Sequence, residues 1–495
     1  MPLKSINCII IRRKGRFFKE FSVILQLKRK LDRMKSKFLA FIALVAATLS
    51  LSSCLNSDET VVEYTNDTAI TSFSLGKLGR YTKTTAGKDT LIADKVNGAN
   101  YHFYIDQATR HIYNVDSLPT KTRTAAVLAT ISSKNSSPIF IMHKNCPEKI
   151  DSAKYYSSTD SIDFSQPRMV RVYNNSLNAY VTYTVKVNVH QQEGNEFNWQ
   201  AKAQLNEQLA ALSDLKVLAL GSHIYVFGKT LGGMKIYKTA ARDGNNWAEV
   251  TANQAFAAAD YQNAVQMGDQ LYILSDGKVY ASTDAATWNQ VGEDSQLKQL
   301  VGASSKYLYA FTATGIAVSK DNGATWAAQK LDADHSLLPT QNLSMNVSTI
   351  ASVKTVENVL LLGTRDASYG DTIATLWNHV ADYSANAPES AWNYIEYDSL
   401  QSGKMPMMDQ VLVCGADSGF VALGSNGKWY KSKNNGLTWG VDTLVTMPAG
   451  FSAATHQRFG FCRDKDNFYW VVRNGSVWKG RFNKDGWIKD QTIFE

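Results

Sequence analysis

The sequence predicts an all-β protein in which a strand-rich N-terminal region precedes a β-propeller. Three observations lead to this fold class. All 11 tryptophans lie from Trp199 onward, which indicates a change of domain between residues 191 and 198. From about residue 196, the chain repeats a unit of four short strands. Residues 60–195 contain short alternating apolar and polar runs that turn clusters separate.

The first 53 residues are predicted to be a leader and a lipoprotein signal peptide. Lys35 and Lys37 follow Met34, and residues 38–49 form an apolar run of secretory-signal length, too short to span a bilayer. The next residues, Leu51-Ser52-Ser53-Cys54, resemble a bacterial lipobox, in which the cysteine sulfur receives a diacylglycerol anchor. We expect Met34 to be the start, with residues 1–33 as an upstream extension; a long positive region from Met1 is the alternative.

The charge of the chain is concentrated in this leader. The formal net charge is +8, but 12 of the 52 Lys and Arg residues precede Cys54, against two of the 44 acidic residues. The remaining chain therefore carries 40 basic and 42 acidic residues, so no nucleic-acid partner is expected. Residues 56–60 are polar, and residues 54–62 are predicted to form a tether. The predicted location is the cell envelope, as an outer-membrane lipoprotein that is either periplasmic or surface-exposed, with the membrane as a partner through the lipid.

Residues 63–193 are predicted to form an immunoglobulin-like β-sandwich. Runs at residues 70–75, 102–105 and 111–115 lead to the alternating segment 180–189, and no helical period is evident. This region is expected to act as a spacer or adhesive module.

Residues 196–495 are predicted to form the propeller. The fourth strand of each repeat is expected to begin near a tryptophan, and these tryptophans are spaced by 41, 38, 66, 47 and 48 residues. Four strands in roughly 40–50 residues make one propeller blade. Six repeats predict six blades, although five to seven fit the spacing. Trp199, before the first repeat, is expected either to start a strand that closes the ring or to mark a partial blade. The six tryptophans are Trp247, Trp288, Trp326, Trp392, Trp439 and Trp487.

A recurrent turn precedes several of these tryptophans, and we call it the Ser–Trp turn. Ser319 and Asp321 have short side chains that accept hydrogen bonds from their own turn, Gly323 permits a positive φ, and Trp326 packs beneath. A near copy contains Ser432, Asn434, Gly436, Thr438 and Trp439. Weaker copies end at Trp247, Trp288 and Trp487.

This pattern resembles the Asp-box (BNR repeat) of sialidase-like and sortilin-like β-propellers. Because the turn consumes its own polar groups, we predict a structural role on the outer rim rather than a catalytic one.

The candidate binding face is formed by the long loops that lead into the blades. One set of candidates is Arg365, Asp366 and Tyr369 in the insertion of the fourth repeat. Met407, in the run Met405-Pro406-Met407-Met408, belongs to an adaptable apolar patch. The last candidates are His456 and Arg458, which can donate hydrogen bonds. For each, a merely structural role is the alternative.

Catalytic and metal sites are not predicted. The histidines lack metal-ligand spacing, and no phosphate-binding or nucleophile motif occurs. We therefore predict no cofactor. Of the cysteines after Cys54, Cys414 and Cys462 occupy similar positions in successive repeats; buried free thiols are expected, and a disulfide between neighbouring blades is the alternative.

From Met34 onward, the chain resembles an uncharacterised family of lipoproteins of Gram-negative gut anaerobes with an N-terminal sandwich and a C-terminal Asp-box propeller. The resemblance implies location and architecture rather than chemistry. We expect a lipid-anchored binding or scaffold protein whose propeller presents a face to a glycan, peptide or protein. The alternative is a glycan-active hydrolase related to sialidases, which requires that Arg365, Arg458 and Arg473 cluster around one pocket. A structural assembly factor of the envelope is a third hypothesis.

Overall fold

The computed structural model describes residues 66–145, 149–350, 352–398, 400–417, 419–448, 450–451 and 458–487. The chain divides into two compact units. Unit 1 comprises Met1–Ile70, Ser133–Phe140 and Arg171–Thr182, and unit 2 comprises Thr71–Ser132, Ile141–Val170 and Tyr183–Glu495. Within the described residues, no helix is long and apolar enough to span a membrane. The predicted anchor, Cys54, and the tether lie outside the described residues.

The N-terminal region is rich in strands, as predicted. Its strands are β1 (Ile70–Leu75), β2 (Lys77–Lys83), β3 (Asp89–Asn97), β4 (Phe103–Asp106), β5 (His111–Asn114), β6 (Val127–Ser133), β7 (Ile139–Ile141), β8 (Lys154–Tyr155), β9 (Ser161–Ile162), β10 (Arg168–Tyr173) and β11 (Tyr180–Lys186).

In unit 2, β1, β6 and β9 form one sheet in that order, and β2 and β3 form a hairpin. Strands β4, β5 and β11 are neighbours in a larger sheet, where residues 184–186 of β11 pair in parallel with β5. Phe73 packs against Phe103 and Phe164, with ring centroids 4.7 and 5.8 Å away, so aromatic side chains from both sheets share one core. The immunoglobulin-like assignment stays a prediction.

Unit 1 is held together by side-chain contacts around Asp67 and Tyr173. The Asp67 carboxylate forms an ion pair with Lys134 at 3.0 Å, and its carbonyl oxygen accepts a hydrogen bond from Ser137. Tyr173 packs edge-on against Phe140 and lies 5.3 Å from the ring of Tyr180.

Residues 196–487 form six four-stranded antiparallel sheets, which are the blades of the predicted propeller. Blade 1 contains β13 (Asp214–Leu220), β14 (His223–Thr230), β15 (Gly233–Ala240) and β16 (Ala248–Val250). Blade 2 contains β17 (Val265–Met267), β18 (Gln270–Ser275), β19 (Lys278–Ser282) and β20 (Asn289–Glu293). Blade 3 contains β21 (Gln299–Ala303), β22 (Leu308–Phe311), β23 (Ile316–Ser319) and β24 (Ala327–Ala328).

Blade 4 contains β25 (Gln341–Thr349), β26 (Val356–Thr364), β27 (Thr375–Asp382) and β28 (Asn393–Tyr394). Blade 5 contains β29 (Val411–Ala416), β30 (Gly419–Gly424), β31 (Trp429–Ser432) and β32 (Gly440–Val441). Blade 6 contains β33 (Gly460–Arg463), β34 (Tyr469–Arg473), β35 (Ser476–Phe482) and the earlier strand β12 (Phe197–Ala201). One short helix, α1 (Glu207–Ala210), precedes blade 1, and the Asn206 side chain caps it by accepting from the Leu209 N–H.

The innermost strand of each blade contacts that of the next, and β33 contacts β13, so the ring is closed. The closing strand is β12, which pairs with β35 in the outermost position of blade 6 and contains Trp199. The first alternative for Trp199 is therefore confirmed. The fourth strand predicted at Trp487 is wrong, because β12 takes that position and Trp487 follows a 3-10 turn at Asn483–Gly486.

Six apolar clusters lie between neighbouring blades, one for each pair. Strand β26 shows how they form. Val359 and Leu361 point to blade 3, whereas Leu360 and Leu362 point to blade 5. Because successive side chains of a strand point to opposite faces and both faces are covered, the second strands are continuous apolar runs.

Candidate functional site

The antiparallel blades divide the loops between two faces of the propeller. The upper face carries the loops that join second to third strands and those that lead into the next blade. The lower face carries the loops between first and second strands and between third and fourth strands. The candidate loops around Arg365, Met407 and Arg458 therefore all belong to the upper face, and the Ser–Trp turns belong to the lower face.

The polar groups of the first Ser–Trp turn are satisfied within the turn. Ser319 Oγ accepts from the Gly323 N–H at 2.8 Å and donates to Asp321 at 2.8 Å. Asp321 accepts from the Thr325 N–H and hydroxyl, and these bonds lower the pKa of its carboxyl to about 2. The half-buried Trp326 donates its indole N–H to the Gly323 carbonyl at 3.2 Å.

The second turn repeats this geometry. Gly436 donates its N–H to Ser432 Oγ at 3.0 Å, and Asn434 accepts from the Thr438 N–H at 2.9 Å. The indole of Trp439 donates to the Gly436 carbonyl at 3.0 Å, and this tryptophan is buried in the cluster between blades 4 and 5. The polar groups of this turn are therefore also engaged within the turn itself.

Arg365 stabilises the loop to which it belongs. Its guanidinium forms two hydrogen bonds with Asp371, at 2.8 and 2.6 Å, and lies 4.3 Å from the centre of the Tyr369 ring. The hydrogen-bonded Arg365 keeps the pKa of Asp371 below its usual value. Asp366 caps the following 3-10 turn by accepting from the Ser368 N–H at 3.0 Å.

The loop that contains Met407 lies directly beside the Arg365 loop. Ala374 donates its N–H to the Met405 carbonyl at 3.0 Å, and Met407 donates to the Thr372 carbonyl at 3.4 Å. Met405 is fully buried, whereas Met407 is exposed. The structure therefore brings these two predicted loops together, and Arg458 of the third contacts the Met407 loop at Asp409. His456 lies outside the described residues.

Arg458 lies at the upper mouth of the central channel. Its Nη1 atom donates to Asn342 Oδ1 of blade 4 at 2.6 Å and to the Asp409 carbonyl at 2.9 Å. Its Nε atom lies 3.7 Å from Asp214 Oδ2 of blade 1. One side chain from the loop before blade 6 therefore joins three other parts of the ring.

The channel below Arg458 encloses about 860 Å³ between the innermost strands. Its upper part is lined mainly by amide, charged and hydroxyl side chains. These residues are Asp214, Lys216, Tyr261, Gln262, Gln299, Gln341, Asn342, Gln410 and Arg458.

Sequence analysis found Arg458 but missed the other residues of this mouth. A usable signal was present, because blades begin their first strand at or just after a polar residue. These residues are Asp214, Asn263, Gln299, Asn342, Gln410 and Arg458.

Some of the amide groups are structural. Gln410 donates to the Phe459 carbonyl at 2.9 Å and accepts from its N–H at 3.0 Å, which joins blade 5 to blade 6. Asn263 similarly accepts from the Leu300 N–H and donates to the Leu274 carbonyl. These bonds fix the positions of the strands that surround the channel.

Lys216 is the most unusual side chain of the channel. Its ammonium group donates to the Gln262 carbonyl at 2.9 Å. The side chain is half-buried inside the channel, and its desolvation there lowers its pKa to about 8. Nearby, burial and a hydrogen bond with the Asp214 carboxylate raise the pKa of Tyr261.

The arginines required by the hydrolase alternative have different partners. Arg458 lies at the channel mouth, Arg365 is paired with Asp371, and neither Arg365 nor Arg473 lines the channel. Arg473 is buried, with its guanidinium 4.7 Å from the centre of the Phe451 ring. The described residues therefore do not form the three-arginine cluster that this alternative requires.

No group of three or more His, Cys, Asp or Glu side chains that could hold a metal occurs among the residues the structure describes. Cys414 and Cys462 are buried free thiols, so the alternative of a disulfide between blades is wrong. Burial raises the pKa of the Cys414 thiol to about 12.

Comparison with known proteins finds propellers of low sequence identity. YCF48 bound to D1 peptide is 14% identical, with 60% of this chain and 97% of that chain covered and a TM-score of 0.33. YCF48 from Cyanidioschyzon merolae is 16% identical, with 57% and 98% covered and a TM-score of 0.31. The Pan2 WD40 domain of Neurospora crassa is 9% identical, with 59% and 98% covered and a TM-score of 0.33. No curated protein matches the sequence at a significant level.

Two family models match the chain. The DUF6242 N-terminal domain, a domain of unknown function, matches residues 73–187, and the DUF6242 beta propeller domain matches residues 193–490. The second match alone covers more than half of the chain. The chain therefore belongs to the DUF6242 family, with the family's N-terminal domain followed by its β-propeller.

Proposed function

We propose that the chain is a binding protein of the cell envelope whose propeller presents the upper channel mouth to a ligand. The ligand is a glycan, a peptide or a partner protein. The observation that carries the proposal is the position of Arg458, which contacts residues of blades 1 and 4 and the loop before blade 5 around one opening. Polar side chains held at fixed positions around a cavity are suited to binding.

The loops around the polar channel mouth carry exposed apolar side chains. Tyr369 and Met407 are exposed on neighbouring loops of the upper face. Leu400 is exposed in the same loop as Met407, and Leu231 is exposed in another loop of that face. Separate exposed apolar side chains next to a polar cavity supply contact area, while the polar groups orient the ligand.

A binding screen of the purified full-length chain in detergent, on glycan and peptide arrays, tests this proposal. We expect saturable binding by the wild type and at least about tenfold weaker binding by Arg458→Gln, because a charged hydrogen-bond donor is lost. The matched control is Arg242→Gln, since Arg242 is an exposed arginine of the lower face. Equal loss in both variants, or no binding by the folded wild type, would refute the proposed site.

We further propose that a lipid on Cys54 holds the protein at the outer membrane, with the N-terminal region as a spacer. The support is the leader sequence, in which residues 38–49 precede Leu51-Ser52-Ser53-Cys54. Metabolic labelling with an alkyne fatty acid should label the wild type and not Cys54→Ala. Labelling of both chains would contradict this anchor.

We also propose that the Ser–Trp turns are Asp-boxes in a structural role. Their internal hydrogen bonds, the buried Trp439 and the half-buried Trp326 support this assignment. Gly436→Ala, which adds a Cβ atom against the buried Leu360, should destabilise the fold if the turn has this role.

A further inference from the structure

We propose that the ligand of the upper mouth is an acidic glycan whose sugar carboxylate is held between Lys216 and Arg458. This inference rests on the function proposed above and adds the chemical class of the ligand. The positions of the two cations and the amide side chains around them carry it.

Lys216 has unused hydrogen-bonding capacity. An ammonium group has three N–H donors. Among the described residues, its acceptor is the Gln262 carbonyl, and no carboxylate lies within ion-pair distance. Two donors therefore remain for a ligand in the channel.

A charge in this position is costly without an anion. Burying an ammonium group disfavours its charged form, and the lowered pKa of Lys216 reflects that cost. A carboxylate bound beside it would offset the cost through a charge-assisted hydrogen bond.

Arg458 supplies the second cation. Its Nη1 atom is engaged by Asn342 and Asp409, whereas its Nη2 atom has no acceptor among the described residues. Its side chain is 38% exposed at the mouth. Arginine offers a planar pair of donors that matches a carboxylate.

In the part of the chain that the structure describes, the charged side chains that line the upper channel are two cations and one carboxylate, namely Lys216, Arg458 and Asp214. Asp214 lies two residues before Lys216 on β13, so both side chains share one face of the strand, roughly 7 Å apart along it. Asp214 is already engaged by Tyr261 and lies 3.7 Å from Arg458 Nε.

The amide side chains of the lining are suited to sugar hydroxyls. Gln262, Gln299 and Gln341 line the same opening, and each amide can donate and accept hydrogen bonds. Adjacent sugar hydroxyls need both functions at close spacing.

The test is equilibrium binding of the full-length chain to a panel of uronic-acid and sialic-acid oligosaccharides, each paired with its carboxyl-reduced, neutral form. We expect at least one acidic glycan to bind and its reduced form to bind about tenfold or more weaker. Lys216→Met should cause a similar loss. Lys465→Met is the matched control, because Lys465 is an exposed lysine at the opposite end of the same channel.

A second readout follows the proton on Lys216. An anion favours the ammonium form, so affinity should be constant below about pH 8 and fall up to about tenfold per pH unit above it. NMR titration of isotope-labelled lysine should show the Lys216 pKa rising when the ligand binds. A profile without this step in the wild type would overturn the role of Lys216.

The outcomes separate this inference from the proposed function. If acidic and reduced glycans bind equally and binding still depends on Arg458, recognition of a carboxylate is refuted, whereas the ligand site at the upper mouth is supported. Binding of acidic peptides and of no glycan would overturn the sugar class. No binding of any glycan or peptide by the folded wild type would overturn both.

Discussion

Gly436 provides the sharpest test of the structural role of the Ser–Trp turns. Its backbone φ is 86°, a left-handed conformation that costs alanine about 1–2 kcal/mol. A Cβ atom there would lie 2.6 Å from Leu360 Cδ1, and Leu360 is fully buried between blades 4 and 5. Displacing a packed side chain costs about 1–3 kcal/mol. We therefore expect Gly436→Ala to lower the free energy of unfolding by roughly 2–5 kcal/mol.

Gly440→Ala is the matched control for this prediction. Gly440 begins β32, only four residues away, and a Cβ atom there would meet nothing within 4 Å. Its effect should stay within about 0.5 kcal/mol. Urea unfolding followed by tryptophan fluorescence measures both variants. If the two denaturation midpoints shift equally, or if neither shifts, the turn at Gly436 does not stabilise the packing between blades 4 and 5.

The remaining predictions concern burial and charge. Trp439→Ala should lower the free energy of unfolding by about 3–5 kcal/mol, because Trp439 is a buried aromatic side chain. Trp326→Ala should lower it clearly less, because Trp326 is only half-buried. Equal losses of both variants in urea unfolding would contradict this. Lys216→Met should stabilise the unliganded protein at pH 7, because the folded state depresses the lysine pKa. Loss of the Lys216 proton should raise the free energy of unfolding of the wild type between about pH 8 and 10.5. Thermal unfolding across that pH range should show this rise in the wild type and not in Lys216→Met. Cys414 and Cys462 should resist a thiol reagent at pH 8 until urea unfolds the chain, because burial raises their pKa values; rapid labelling of the native protein would contradict their burial.

The propeller could be predicted because its packing leaves a clear pattern in the sequence. Second strands such as β26 are buried on both faces, so Val359 and the residues after it form a continuous apolar run. The spacing of the tryptophans predicted the length of each repeat. The fourth strand predicted at Trp487 was wrong, because the outer strand of blade 6 is β12, which comes from the start of the domain. Ring closure joins residues almost 300 positions apart, and no local pattern records it.

The candidate site was only partly predictable. Arg458 stood out as a charged residue in a loop before a blade, but its partners Asp214 and Asn342 belong to other blades. Lys216 lies on a first strand, where a single polar residue is an ordinary feature of a strand edge. Its significance depends on the channel that surrounds it, and a channel exists only after the ring has closed. The loop residue Arg365, in contrast, was a reasonable candidate that the structure pairs with Asp371.

The central claim is that the upper channel mouth is the ligand site of this DUF6242 protein. The most direct measurement is an experimental structure of the full-length chain with the first ligand identified by array screening. The account predicts ligand density between Arg458 and Lys216, above the innermost strands. Density confined to the lower face, the outer rim or the N-terminal region would contradict it.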